Sequence, residues 1–176
     1  MFEILAAALV LSSLAEPSRL PLTIPPVNPG SMVILPSLDC IDVAGASIEP
    51  GASIVQETCR LGCTPSQVWS QVNATSEGWV QLVNQNSGLC MTVPSQVDGA
   101  PVAQDTCDAA THIQRWTLQE VGANFYAVIN IHSGLCLTLP GSSKESGVQL
   151  VQSACQAGAQ NQAIQFAHPS TCRPAR

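Results

Sequence analysis

The residues of this chain best equipped for chemistry are its eight cysteines (Cys40, Cys59, Cys63, Cys90, Cys107, Cys136, Cys155 and Cys172), three histidines (His112, His132 and His168) and twelve carboxylates. Thiols can cross-link a chain or hold a metal. Cys59 and Cys63 lie four apart, a spacing that can open a zinc site, but no second Cys/His pair stands at ligand spacing. Zinc would also need the thiols to stay reduced. Asp39/Asp42 and Asp105/Asp108 are close enough in sequence to act as paired carboxylates. A glycosidase built on such a pair needs a deep cleft to hold a distorted sugar, and a compact chain of 176 residues has little material for one. No serine or cysteine stands in a recognisable nucleophile context. The expectation is a protein that is not an enzyme and carries no cofactor and no metal.

A repeat sets where these residues must lie. The phrase "SGLCMTVP" at 87–94 returns as "SGLCLTLP" at 133–140, with six of eight positions identical. Ahead of each copy runs a β-rich segment, "WVQLVNQN" (79–86) and "FYAVINIH" (125–132). Behind each comes a second cysteine with a glutamine three residues before it, in "VAQDTC" (102–107) and "LVQSAC" (150–155). Nine residues further stand Gln114-Arg115-Trp116 and Gln162-Ala163-Ile164. A more worn copy precedes both: "CIDV" at Cys40, "IVQETC" ending at Cys59, then Gln67-Val68-Trp69. The chain therefore reads as three units of about 47 residues, near 32–77, 78–123 and 124–172. Searching for such periods comes first, because a missed repeat misreads the fold.

The repeat also narrows the cysteine pairing, which eight cysteines alone leave open 105 ways. Equivalent positions should do the same thing, which predicts Cys40/Cys59, Cys90/Cys107 and Cys136/Cys155 within units. Cys63 and Cys172 remain and would tie the first unit to the C-terminal tail. In the chain-entropy view each short loop so closed is worth about 3 kcal/mol, and the long one about 4–5 kcal/mol.

Composition agrees with a turn-rich, all-β chain. Charged residues are 10%, hydrophobic residues 45%, and no long stretch repeats apolar residues at helical spacing. The net charge is −6 and the six basic residues are scattered, so nucleic acid and anionic lipid are poor partners. Residues 1–15 hold an apolar run from Ile4 to Leu14 with Ser13-x-Ala15 behind it, the pattern of a secretory signal peptide, although Glu3 stands where a basic residue is usual. An apolar strand is the alternative. The run is too short to span a bilayer. Residues 16–31 are a proline-rich linker, and residues 32–176 are the domain.

Three units, each with an internal cysteine pair and a Gln-x-Trp near its end, resemble the ricin B-type lectin family over about 135 residues. The resemblance implies a β-trefoil, all-β, with three pseudo-symmetric repeats. One unit cannot bury its own apolar face, and three bury theirs jointly. Trp69, Trp116 and Ile164 then become core, with Phe166 a candidate to restore the aromatic volume missing at Ile164.

The same resemblance implies one shallow sugar pocket per unit. It would need an Asp two residues after the first cysteine, an aromatic two before the second, and an Asn-Gln pair opening Gln-x-Trp. Carboxylates accept from paired hydroxyls, aromatic faces match the C–H side of a pyranose, and amides donate and accept. The first set of positions holds Asp42, Thr92 and Thr138; the second holds Glu57, Asp105 and Ser153; Ser66, Ile113 and Asn161 precede the glutamines. No unit is complete, and the aromatic is gone from all three. Trp79, Phe125 and Tyr126 open strands and belong to the core more often than to a pocket, though one could sit at a rim.

The carbohydrate-binding positions that follow are Asp42, Gln56, Glu57, Ser66 and Gln67 in unit one, then Asn161 and Gln162 in unit three. The expected protein is a secreted, monomeric lectin module without catalysis, and its partner is a glycan or polysaccharide. The alternative is a trefoil scaffold for a protein partner, such as a non-catalytic toxin subunit or an inhibitor. Asn73-Ala74-Thr75 is a glycosylation sequon in a eukaryotic secretory setting.

Overall fold

The computed structural model describes residues 29–60, 64–72 and 78–167. The expected signal peptide, most of the linker, Asn73, His168 and the Cys63/Cys172 pair lie outside the described residues.

Twelve short strands carry the fold: β1 Gly30–Ile34, β2 Asp39–Val43, β3 Ile54–Glu57, β4 Val68–Val72, β5 Gln81–Asn84, β6 Cys90–Thr92, β7 Ala103–Asp105, β8 Trp116–Gly122, β9 Phe125–Asn130, β10 Cys136–Thr138, β11 Val151–Ser153 and β12 Ile164–Ala167. All pairings are antiparallel. Six strands close on themselves: β1 pairs with β4, β4 with β5, β8 with β9, β9 with β12, and β12 with β1. The bridge Val80↔Trp116 closes the ring between β5 and β8. Closure removes the sheet edges that would otherwise template aggregation. The other six strands form the hairpins β2–β3, β6–β7 and β10–β11. The architecture is a β-trefoil, as the repeat implied.

The hairpins meet at the threefold axis through a cycle of backbone hydrogen bonds. Ile54 N–H donates to Val102 O (3.0 Å), Val102 N–H to Leu150 O (3.0 Å), and Leu150 N–H back to Ile54 O (2.9 Å). All three side chains are fully buried. Each unit thus completes its neighbour, which is why one unit alone would leave polar backbone and apolar surface unmet.

A glutamine in each unit locks this cap. Gln56, Gln104 and Gln152, three residues before each second cysteine, are 0% exposed. The Gln104 amide donates to Ser47 O and Glu49 O, both at 3.0 Å. Gln152 donates to Ser95 O (2.6 Å) and Val97 O (3.0 Å), and Gln56 to Ser143 O (3.1 Å) and Glu145 O (2.6 Å). Each clamps a loop of the preceding unit, so the contacts run head to tail around the axis. Each also accepts a serine hydroxyl from its own unit: Ser37, Ser87 and Ser133, at 2.9, 2.8 and 2.7 Å. Ser87 and Ser133 open the duplicated phrase, so that phrase repeats because the clamp does. The clamped loops turn at Gly51, Gly99 and Gly147, whose φ of 79–82° an L side chain rarely adopts.

Inside the barrel, Trp69 and Trp116 are 2% and 0% exposed, and their indole N–H groups donate to Ile41 O (2.9 Å) and Met91 O (3.1 Å). Ile164 fills the third position, also fully buried. The missing aromatic returns one step outward: Tyr126 faces Ile164 across the sheet and meets Phe166 edge-on at 5.8 Å. The disulfides Cys40–Cys59, Cys90–Cys107 and Cys136–Cys155 are formed, and among the described residues no cysteine is free. Cys59 is therefore committed to Cys40 and is no zinc ligand.

Candidate functional site

The residues implied for sugar binding divide sharply once placed. Asp42 and Gln67 come together, with Gln67 Nε2 donating to Asp42 Oδ2 at 3.0 Å. Asp42 is only 3% exposed, and its Oδ1 is buried with no partner. Gln67 also donates to Thr58 O (3.0 Å) and accepts from Arg60 N–H (2.9 Å), so its two amide hydrogens go to Asp42 and Thr58 and its oxygen holds the chain after Cys59. The Ser66 hydroxyl is likewise buried and unpartnered.

Glu57 shares a face of the β2–β3 hairpin with Asp42, because Cys40 pairs with Glu57 and Asp42 with Val55. Gln56 pairs with Ile41 and points to the opposite face. Its amide is consumed by the clamp, so the structure does not bring Gln56 to the other unit-one positions. Alternation in a strand made this separation readable, since neighbours 56 and 57 cannot share a face.

In unit three the corresponding positions line a cavity. A cavity of about 450 Å³ is lined by Thr138, Pro140, Gly141, Val151, Ser153, Gln156, Asn161, Gln162 and, from unit two, Gly99. These include all four positions that the repeat assigned to a pocket: Thr138, Ser153, Asn161 and Gln162. Thr138 and Gln162 are braced as in unit one. Gln162 Nε2 donates to Thr138 Oγ1 (3.0 Å) and Ala154 O (2.9 Å), and its Oε1 accepts from Gln156 N–H (2.8 Å). Thr138 in turn donates to Cys136 O (2.8 Å). Asn161 Nδ2 donates to Leu139 O at 2.9 Å, which fixes the amide plane and leaves its Oδ1 without a donor among the described residues. The Ser153 hydroxyl and the Gln156 amide make no hydrogen bond among the described residues. The cavity therefore presents one fixed acceptor, one hydroxyl and one free amide, and none of its lining residues is charged.

Sequence reasoning missed Gln156, Gly99 and the Pro140-Gly141 turn as walls. Gly99 comes from a neighbouring unit, and no within-unit pattern points to it.

The strand order and the threefold clamp define a β-trefoil. The family description "Ricin-type beta-trefoil lectin domain" matches residues 30–163, and the chain belongs to that family. No curated protein matches the chain in sequence. Among solved structures it is similar to ThreeFoil, a designed threefold symmetric protein (28% identity, TM-score 0.74), covering 79% of this chain and 97% of that one. It is equally similar to part of 1,3Gal43A, an exo-β-1,3-galactanase from Clostridium thermocellum (28% identity, TM-score 0.74), covering 82% of this chain but 31% of the galactanase. The C-half of the earthworm R-type lectin, solved with GalNAc, shares the fold at 16% identity and TM-score 0.62, covering 79% of this chain and 97% of that one. No helix among the described residues is long and apolar enough to cross a membrane.

Proposed function

We propose that the protein is a secreted, non-catalytic carbohydrate-binding module whose working pocket is that of unit three. The observation that carries this reading is the open cavity with Asn161 Oδ1, Ser153 and Gln156 unspent at its wall. Unit one holds the better sequence match, yet its carboxylate is covered and half engaged by Gln67. Asp42 Oδ1 is one acceptor still without a partner, which makes unit one a second, weaker position. Disulfides in each unit suit an oxidising, extracellular setting. The absence of charge around the cavity favours a neutral sugar.

Galactose and GalNAc are the first probes, since the galactanase and the earthworm lectin name those sugars. A lone pocket without a stacking ring is expected to bind near millimolar, about 4 kcal/mol. Isothermal titration of the disulfide-intact domain, beside the Asn161→Ala variant, tests the reading. The expected result is binding by the native protein and a loss of at least about tenfold in the variant, the size of one hydrogen bond of about 1.4 kcal/mol. No response to any neutral glycan on an array would overturn it.

A further inference from the structure

A second cavity, of about 350 Å³, lies on the other side of the 156–162 loop. It is walled by Leu35, Val121, Phe125, Ala127, Ile129 and Ala163, with Gln119, Gln156 and Gln160 around them. None of its lining residues is charged, and the three glutamine side chains make no hydrogen bond among the described residues. Phe125 is half-buried.

Comparison with unit two shows why it is open. Trp79 stands where Phe125 stands, each 11 residues before its cysteine, and Arg115 stands where Ala163 stands, each just before the barrel position Trp116 or Ile164. In unit two the Arg115 guanidinium lies over the Trp79 ring at 4.5 Å. Its Nη2 donates to Ala109 O (2.6 Å) and its Nε to the same oxygen (3.2 Å), which ties it to the loop equivalent to 156–162. The arginine therefore plugs the space, and Trp79 is 7% exposed. Unit three has the same aromatic-floored space with the plug cut back to a methyl group.

We propose that this cleft is a second carbohydrate subsite, taking the next residue of a neutral glycan whose first residue occupies the unit-three pocket. The inference rests on the reading given under Proposed function. Gln156 and Gln162 wall both cavities, so the two are adjacent. The aromatic lost from every family pocket is supplied here by Phe125, which offers an apolar face for the C–H side of a pyranose. Free glutamine amides at the cleft can meet the sugar's hydroxyls as donors and as acceptors. An uncharged, aromatic-floored cleft with polar amides fits a sugar ring better than an anionic or cationic ligand.

The test compares galactose with β-1,3-linked galactobiose and galactotriose on the native protein, Ala163→Arg and Asn161→Ala. Ala163→Arg copies the plug of unit two, and Ala163 does not line the first pocket. The native protein should bind the longer sugars about tenfold more tightly than galactose. Ala163→Arg should lose that gain while keeping its galactose affinity, and Asn161→Ala should weaken both. A second readout needs no variant: the Phe125 ring protons of the native protein should shift on adding galactotriose and stay still with galactose. Galactose binding without any gain from length, or an unmoved Phe125 ring, would overturn the second subsite alone. Failure of every sugar to bind would overturn it together with the reading it rests on.

Discussion

Units two and three share their hairpins, their disulfide and their glutamine clamp, and differ in what stands beside them. Unit two puts Trp116 in the barrel, Ile113 before its glutamine, and Arg115 over Trp79. Unit three puts Ile164, Asn161 and Ala163 in the corresponding places. In unit two an arginine covers the aromatic ring, and in unit three cavities lie on both sides of a single loop. Features that cross unit boundaries are constant because each unit closes its neighbour, and any departure would break the ring. Pocket positions take no part in the threefold clamp and are free to drift separately. Repetition marks the frame, and asymmetry marks the place to look for binding.

The comparison can be broken most forcefully at the core. Trp116→Ala removes a fully buried indole and its hydrogen bond to Met91 O, and should cost about 3–5 kcal/mol in urea unfolding. Ile164→Ala should cost about 2–4 kcal/mol, since it deletes less volume and no donor. A loss below about 1 kcal/mol at either position would contradict its place in the shared core.

The clamp gives the next largest effect. Gln104→Ala and Gln152→Ala each strip three hydrogen bonds from a fully buried site. Each should cost about 3 kcal/mol, given roughly 1–3 kcal/mol for every buried group left unpaired. Their losses should agree within about 0.5 kcal/mol because the sites are copies. A large inequality in thermal or urea unfolding would show that the threefold clamp is not shared.

A smaller effect sharpens the same contrast. Arg115→Ala should cost only about 1 kcal/mol, the scale of a partly exposed cation–π contact and its hydrogen bonds. It should also open over Trp79 the space that Ala163 leaves over Phe125, read as a red shift of tryptophan emission or easier quenching by acrylamide. Unchanged fluorescence would show that the guanidinium does not cover the ring.

The smallest expected effect depends on pH. Burial, and then the nearby Glu57 carboxylate, raise Asp39 above its ordinary value near 3.8. The folded state thus holds the Asp39 proton more tightly than the unfolded chain does. Ionising it costs stability, a cost absent below the ordinary carboxylate range and complete once pH exceeds the raised value. Asp39→Asn should therefore stabilise slightly at pH 7 and not at pH 3, as compared by melting temperature. A gain confined to low pH would contradict the sign.

Much of this frame was readable in the chain. The duplicated phrase, the Gln-x-Trp positions and the paired cysteines are local patterns at a fixed period, so the trefoil and three disulfides followed. The role of Gln56 did not follow. Its partners, Ser143 O and Glu145 O, lie 87 and 89 residues away in another unit, and a within-unit template assigned it to a pocket instead. The preference for unit one over unit three also depended on residue type. Asp42 looks like the better ligand in sequence, but its burial and the hydrogen bond it accepts from Gln67 are three-dimensional properties. Phe125 shows the reverse. Its alignment with Trp79 was visible, while the open space above it depends on an arginine that unit three lacks.

The account stands or falls on where sugar lands. Backbone NMR of the isotope-labelled, disulfide-intact domain, titrated with galactose, reads all three units in one experiment. The account predicts shifts at Thr138, Ser153, Gln156, Asn161 and Gln162, with Thr92, Asp105, Ile113 and Gln114 unmoved. Shifts centred on the unit-two residues, or none anywhere at saturating sugar, would contradict it.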